Sequence, residues 1–151
     1  LEELQVPIRT VEVEVFAGGP PSRGTLFLGQ LPDREPSAAD VGRMLNDERP
    51  FLPFRDSAGH QSVLNKSRIA RVRIAGATVA DLGSGISPDC ATPPCTVHMA
   101  DGARLHGQLI IDTPASCSRM TDKLNRAPGF TPLVSEQGVD FLGIPHVVRV
   151  E

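Results

Sequence analysis

The chain has 151 residues, a formal net charge of −3, six Phe and neither Trp nor Tyr. That balance argues against a broad basic footprint for nucleic acid and against the aromatic platforms on which single strands stack. No apolar run approaches the roughly 20 residues needed to cross a bilayer, and three Cys make poor material for a disulfide framework.

Residues 1–7 read as a lead-in, one helical turn stopped by Pro7. From Thr10 to Phe16 Val alternates with Glu, the period of a half-buried strand with Val11, Val13 and Val15 inward. Gly18-Gly19-Pro20-Pro21 is a turn, and residues 24–28 form a second strand. After a Pro-bearing loop, Ser37 and Asp40 have the spacing of a helix N-terminus. Val41, Met44 and Leu45 supply the apolar face of a short helix that Asn46 and Asp47 end. Residues 51–56 and 61–65 read as strands joined at Ala58-Gly59, and residues 67–74 as a fifth strand. Residues 75–95, rich in Gly, Ser and Pro, read as a linker. Beyond it come a strand, an Asp101-Gly102 hairpin turn, a strand, a short helix through Met120 and Leu124, and three strands.

The second series keeps register with the first. Leu45-Asn46, Phe51, Pro53 and Phe54 meet Leu124-Asn125, Phe130, Pro132 and Leu133 at a constant offset of 79. Ile69, Arg71 and Val72 meet Val147, Arg149 and Val150 at 78, and Gly24 meets Gly107 at 83. Four anchors in one order indicate two copies of one unit, residues 10–74 and 96–151. The duplication predicts burial of Val13, Leu26, Leu45, Phe51 and Ile69, and of Val97, Leu109, Leu124, Phe130 and Val147.

The second copy carries Val97-His98-Met99-Ala100-Asp101-Gly102, then Gly107-Gln108-Leu109, and ends Leu142-Gly143-Ile144-Pro145-His146-Val147-Val148-Arg149-Val150. The first carries Gly24-Thr25-Leu26 and Leu64-Asn65-Lys66-Ser67-Arg68-Ile69-Ala70-Arg71-Val72. Each copy thereby resembles the Sm-like barrel of the Sm, LSm and Hfq proteins. The resemblance implies an all-β fold of two small five-stranded barrels in tandem, each with a short helix, packed as a pseudo-dimer and of bacterial type. It also implies Asn46, Asn65, Lys66 and Asn125 as ligand or RNA contacts, since that family grips a base between an Asn-bearing and a cationic loop, and the basic row that follows Lys66 adds Arg68 and Arg71 as candidates. The second copy departs from this pattern, with uncharged Gly143-Ile144 where the cation belongs.

Other groupings lead to no chemistry. Ile111-Asp112-Thr113-Pro114 resembles an aspartic-protease loop, but Pro stands for its glycine and no second loop completes a dyad. His98, His106 and His146 lie near Cys90, Cys95 and Cys117, yet Cys-x4-Cys and His-x7-His are not zinc spacings, although His98 and His106 could face each other across the hairpin. Gly83-Ser84-Gly85 lacks the Lys-Ser/Thr of a phosphate loop. Cys90 and Cys95 either pair in an oxidising compartment or stay reduced in the cytosol. Arg68, Arg71 and Arg73 read as a solvated strand face, and Asn46 and Asn125 as helix C-caps.

The expectation is a non-catalytic binding or scaffold domain, cytoplasmic, without cofactor, metal or membrane contact, whose partner is an unknown protein or small ligand. An RNA-binding protein and a regulatory domain of a larger signalling protein are the alternatives. Pro50, Pro53, Pro128 and Pro132 cannot donate to a ladder, which predicts a monomer or small oligomer rather than a ring.

Overall fold

A computed structural model describes residues 9–29, 35–83, 86–113 and 119–151. The first half comprises β1 (Arg9–Phe16), β2 (Ser22–Gly29), α1 (Ala38–Leu45), β3 (Phe51–Asp56), β4 (Gln61–Asn65) and β5 (Arg71–Ala75). The second comprises β6 (Cys95–Met99), β7 (Arg104–Leu109), α2 (Met120–Asn125), β8 (Phe130–Ser135), β9 (Gly138–Gly143) and β10 (Val147–Val150). All ten strands join one antiparallel sheet in the order β10-β6-β7-β8-β9-β5-β1-β2-β3-β4. The order within the first half, β5-β1-β2-β3-β4, recurs within the second as β10-β6-β7-β8-β9.

The pair of closed barrels expected from the sequence is not what forms. β9 pairs with β5 from Arg71↔Leu142 to Ala75↔Gly138, so the halves merge edge to edge and the sheet stays open. Among the described residues β4 and β10 are its two free edges.

Local chemistry explains the strands and their turns. Val13 and Val15 of β1 are buried while Glu12 and Glu14 face outward, as the alternation requires. Gly102, at φ +90°, turns β6 into β7, and Asp101 Oδ1 accepts the Ala103 N–H at 2.9 Å. At the start of α1 the Ser37 N–H donates to Asp40 Oδ2 at 2.9 Å. Gly24 and Gly107 sit where the next strand crosses closely. A Cβ would stand 2.1 Å from the Arg55 carbonyl oxygen at Gly24 and 2.3 Å from that of Val134 at Gly107.

Two cores follow. Val13, Leu26, Val41, Leu45, Phe54 and Val72 build the first, and Phe130, Val139 and Phe141 reach into it from the second half. Val97, Leu109, Leu133 and Leu142 build the second, joined by Ala70. β8 and β9 therefore lie between two cores, one on each face.

Several expectations change here. Phe51 is 51% exposed rather than buried, and Leu124 and Val147 are half-buried. The fifth strand starts at Arg71, because Lys66–Arg68 forms a 3-10 turn that the Asn65 side chain caps. Within residues 75–95 Thr92 is tied to β7: its N–H donates to the Leu109 carbonyl at 2.9 Å, and its Oγ1 accepts the Leu109 N–H at 3.0 Å. The lead-in at residues 1–7, Ser84-Gly85, Pro114 and Cys117 lie outside the described residues. Among the described residues no helix is long and apolar enough to cross a membrane.

Candidate functional site

The junction of β5 with β9 holds a buried group of charges, Arg71 and Asp140 with Arg73 beside them. Arg73 stands opposite Asp140 in the ladder, and its Nε donates to Asp140 Oδ1 at 2.9 Å. Arg71 Nη1 donates to the same oxygen at 3.2 Å, and its guanidinium lies 3.5 Å from the centre of the Phe16 ring. Burial pushes Arg71 below its ordinary value, Asp140 pulls it back, and among the described residues the buried Arg71 Nε finds no partner. The Asn46 side chain clasps the backbone of β8: Nδ2 donates to the Phe130 carbonyl at 2.9 Å, and Oδ1 accepts the Phe130 N–H at 2.8 Å. Phe141 packs on α1 at Gly42, where a Cβ would come within 2.8 Å of its ring.

The six residues singled out as ligand or RNA contacts are not brought together as one site. Asn46 takes the C-cap position of α1 as its recurrence suggested, though at φ −96° rather than in the left-handed conformation, and its side chain holds β8. Asn125 closes α2 from within, and Arg126 takes the cap position. Asn65 caps the turn at Ser67 through a 3.0 Å bond. Lys66 is buried, its Nζ donating to the Met44 carbonyl at 2.7 Å and to Asp47 Oδ1 at 2.6 Å, where it satisfies the end of α1. Arg71 is buried in the junction, not on a solvated face. Asn46, Arg68 and Asn125 of the six are exposed, and the Asn46 side chain is spent on the Phe130 backbone.

The histidines and cysteines are likewise dispersed. His106 pairs with Thr96 and His98 with Arg104 across the hairpin, so the two imidazoles do not face each other. Cys90 and Cys95 are free thiols. Among the described residues no group of three His, Cys, Asp or Glu could hold a metal ion.

Asp47 accepts from Arg49 Nη2 at 2.7 Å and from Lys66 Nζ at 2.6 Å. These bonds, that of Arg49 first, hold its carboxyl well below the usual carboxylate range. A folded-state value below the unfolded one of about 3.9 contributes stability above that pH and loses it as pH falls toward the folded value. Asp47→Asn is therefore expected to lower the melting temperature near neutrality, and the two melting curves should converge as pH drops below about 4. A gap unchanged by acid would mean that the pairing contributes nothing.

Two open grooves flank the sheet. One, about 850 Å³, crosses β1 and β2 and is lined by Glu12, Glu14, Arg23, Asp56 and Arg73. Its charges are partly internal, Arg23 pairing with Glu14 at 3.1 Å and Arg73 with Asp140. The other, about 520 Å³, lies on the free β4 edge between Phe27, Pro53, Arg55 and Val63. Phe51, Pro53 and Val63 share the face of β3 and β4 that points away from their own core. The counterpart positions in β8 and β9 are Phe130, Pro132 and Phe141, since Pro132 pairs with Phe141 as Pro53 does with Val63. The sequence echo foretold that correspondence but not its asymmetry: Phe130 is 7% and Phe141 3% exposed, against 51% for Phe51 and 66% for Val63. Comparison with protein-family models, with curated proteins and with solved structures finds no match.

Proposed function

We propose that the chain is a non-catalytic scaffold domain, built from two copies of an Sm-like five-stranded unit, that engages a protein partner along the free edges of its sheet. One observation carries this reading. The polar residues available for catalysis or RNA contact mostly tie the fold together, whereas Phe51, Val63 and Val148, large apolar and exposed, lie at β3–β4 and β10. The recurring strand order and the matched glycines Gly24 and Gly107 support the duplication. The free thiols of Cys90 and Cys95 suit a reducing, cytoplasmic setting.

The test is a thermal-shift survey with nucleotides, metal ions and U-rich and A-rich oligonucleotides, followed by an RNA titration in about 100 mM salt. No saturable shift is expected. Sub-micromolar RNA binding that weakens steeply with salt and is lost in Arg68→Glu would replace the scaffold with an RNA-binding protein. Arg68 is the informative position because it is exposed, whereas a change at Lys66 would also disturb the end of α1.

A further inference from the structure

The chain contains one finished junction and the two unfinished sides of a second. In the finished one, β8 and β9 present Phe130 and Phe141 to the first half, where Asn46 clasps the Phe130 backbone and Phe141 covers Gly42. Under that cover Val41 and Leu45 of α1 are fully buried. The same side of α2 holds Met120 and Leu124, the counterparts of Val41 and Leu45, and both are only half-buried. Asn125 stands where Asn46 does, but among the described residues its side chain makes no hydrogen bond, whereas that of Asn46 makes two. At the opposite end of the sheet, Phe51 and Val63 stand where Phe130 and Phe141 do, and both are exposed among the described residues.

From this we infer that the occupant of both free ends is a second copy of this chain, docked head to tail. The β3–β4 face of one molecule covers α2 and extends the sheet at β10 of the next, repeating the β9–β5 junction between molecules. The inference rests on the scaffold reading and names its partner. Register follows from the internal ladder: Arg71↔Leu142 and Val72↔Phe141 become Arg149 opposite Leu64 and Val150 opposite Val63. Side-chain sizes are reciprocal. Where Phe141 meets Gly42, the smaller Val63 meets the larger Thr121.

The prolines that argued against edge pairing do not guard either edge. Pro53 and Pro132 lie in β3 and β8, which are interior strands, while β4 and β10 contain no proline. Because the contact joins two different surfaces, it either closes into a ring or continues as a filament.

The experiment is sedimentation and light scattering of the whole chain from about 1 μM to about 1 mM, the range of weak to moderate specific association. Val63→Arg spoils one surface and Thr121→Arg the other. Both positions are exposed, so the fold should persist, as far-UV circular dichroism and the melting temperature of each variant at low concentration will show. The native chain is expected to grow in mass with concentration and each variant alone to remain a monomer. An equimolar mixture of the variants should form dimers, because one intact head meets one intact tail. A native chain that stays monomeric throughout, assembly that survives either variant, or a mixture that stays monomeric overturns the inference. A monomeric chain that also ignores RNA, nucleotides and metals loses only its proposed partner. An RNA-driven shift removes the scaffold reading while leaving the mass measurement to decide self-docking.

Discussion

Phe130→Ala is expected to cost about 3–5 kcal/mol, and Phe51→Ala about 1 kcal/mol or less. The two residues begin equivalent strands, β8 and β3, and point to the same face of each. What differs is the cover. Phe130 joins the core of the first half beneath α1, and truncating it would leave a cavity among side chains already held by β5 and β9. Among the described residues Phe51 has no such cover, and it exposes about half its surface. Urea unfolding at low protein concentration measures both costs, provided that the slope of free energy against denaturant stays unchanged. Equal losses at the two positions would place Phe51 in a core and remove the asymmetry on which the free ends depend.

That asymmetry marks the limit of what the residues disclose on their own. The strands and hairpins were legible because their signals are local: Val-Glu alternation in β1, Asp101-Gly102 after β6, and Ser37 with Asp40 before α1. The offset of 79 correctly placed Phe51 opposite Phe130, but burial depends on what lies above a face, and no pattern within β3 reports that. The same reason hid the single sheet. A strand edge looks alike whether it returns to its own half or joins another, and only the pairing of β9 with β5 decides between them. Asn46 was noticed for recurring, and its cap position at the end of α1 was within reach of a local pattern, whereas the task of its side chain was not. Its partner, the Phe130 backbone, is 84 positions away. Arg71 misled more seriously. In sequence it belongs to a basic row, and only the distant Asp140 and the ring of Phe16 turn it into a buried group.

Asp140→Ala is accordingly expected to destabilise the chain by about 3–5 kcal/mol, the usual cost of removing one member of a buried ion pair. Asp140 is 2% exposed and is the acceptor for both Arg71 and Arg73. Without it Arg71 would remain buried as an uncompensated cation with an additional unsatisfied donor, beside a second guanidinium. Arg73 is more exposed than Arg71 and can turn toward water, so Arg73→Ala should cost less. Removing Arg71 together with Asp140 should cost clearly less than the sum of the single changes, because the penalty of either single change is largely the charge left behind. Additive losses, or a loss below about 1 kcal/mol for Asp140→Ala, would mean that β9 is held to β5 by backbone and apolar contacts alone. The free edges carry Ser62 where β9 carries Asp140, and Glu151 where β5 carries Arg73. A contact between molecules would therefore repeat the ladder and the apolar cover of the internal junction without its buried charges. Such a contact should be reversible at concentrations where the junction of β5 with β9 never opens.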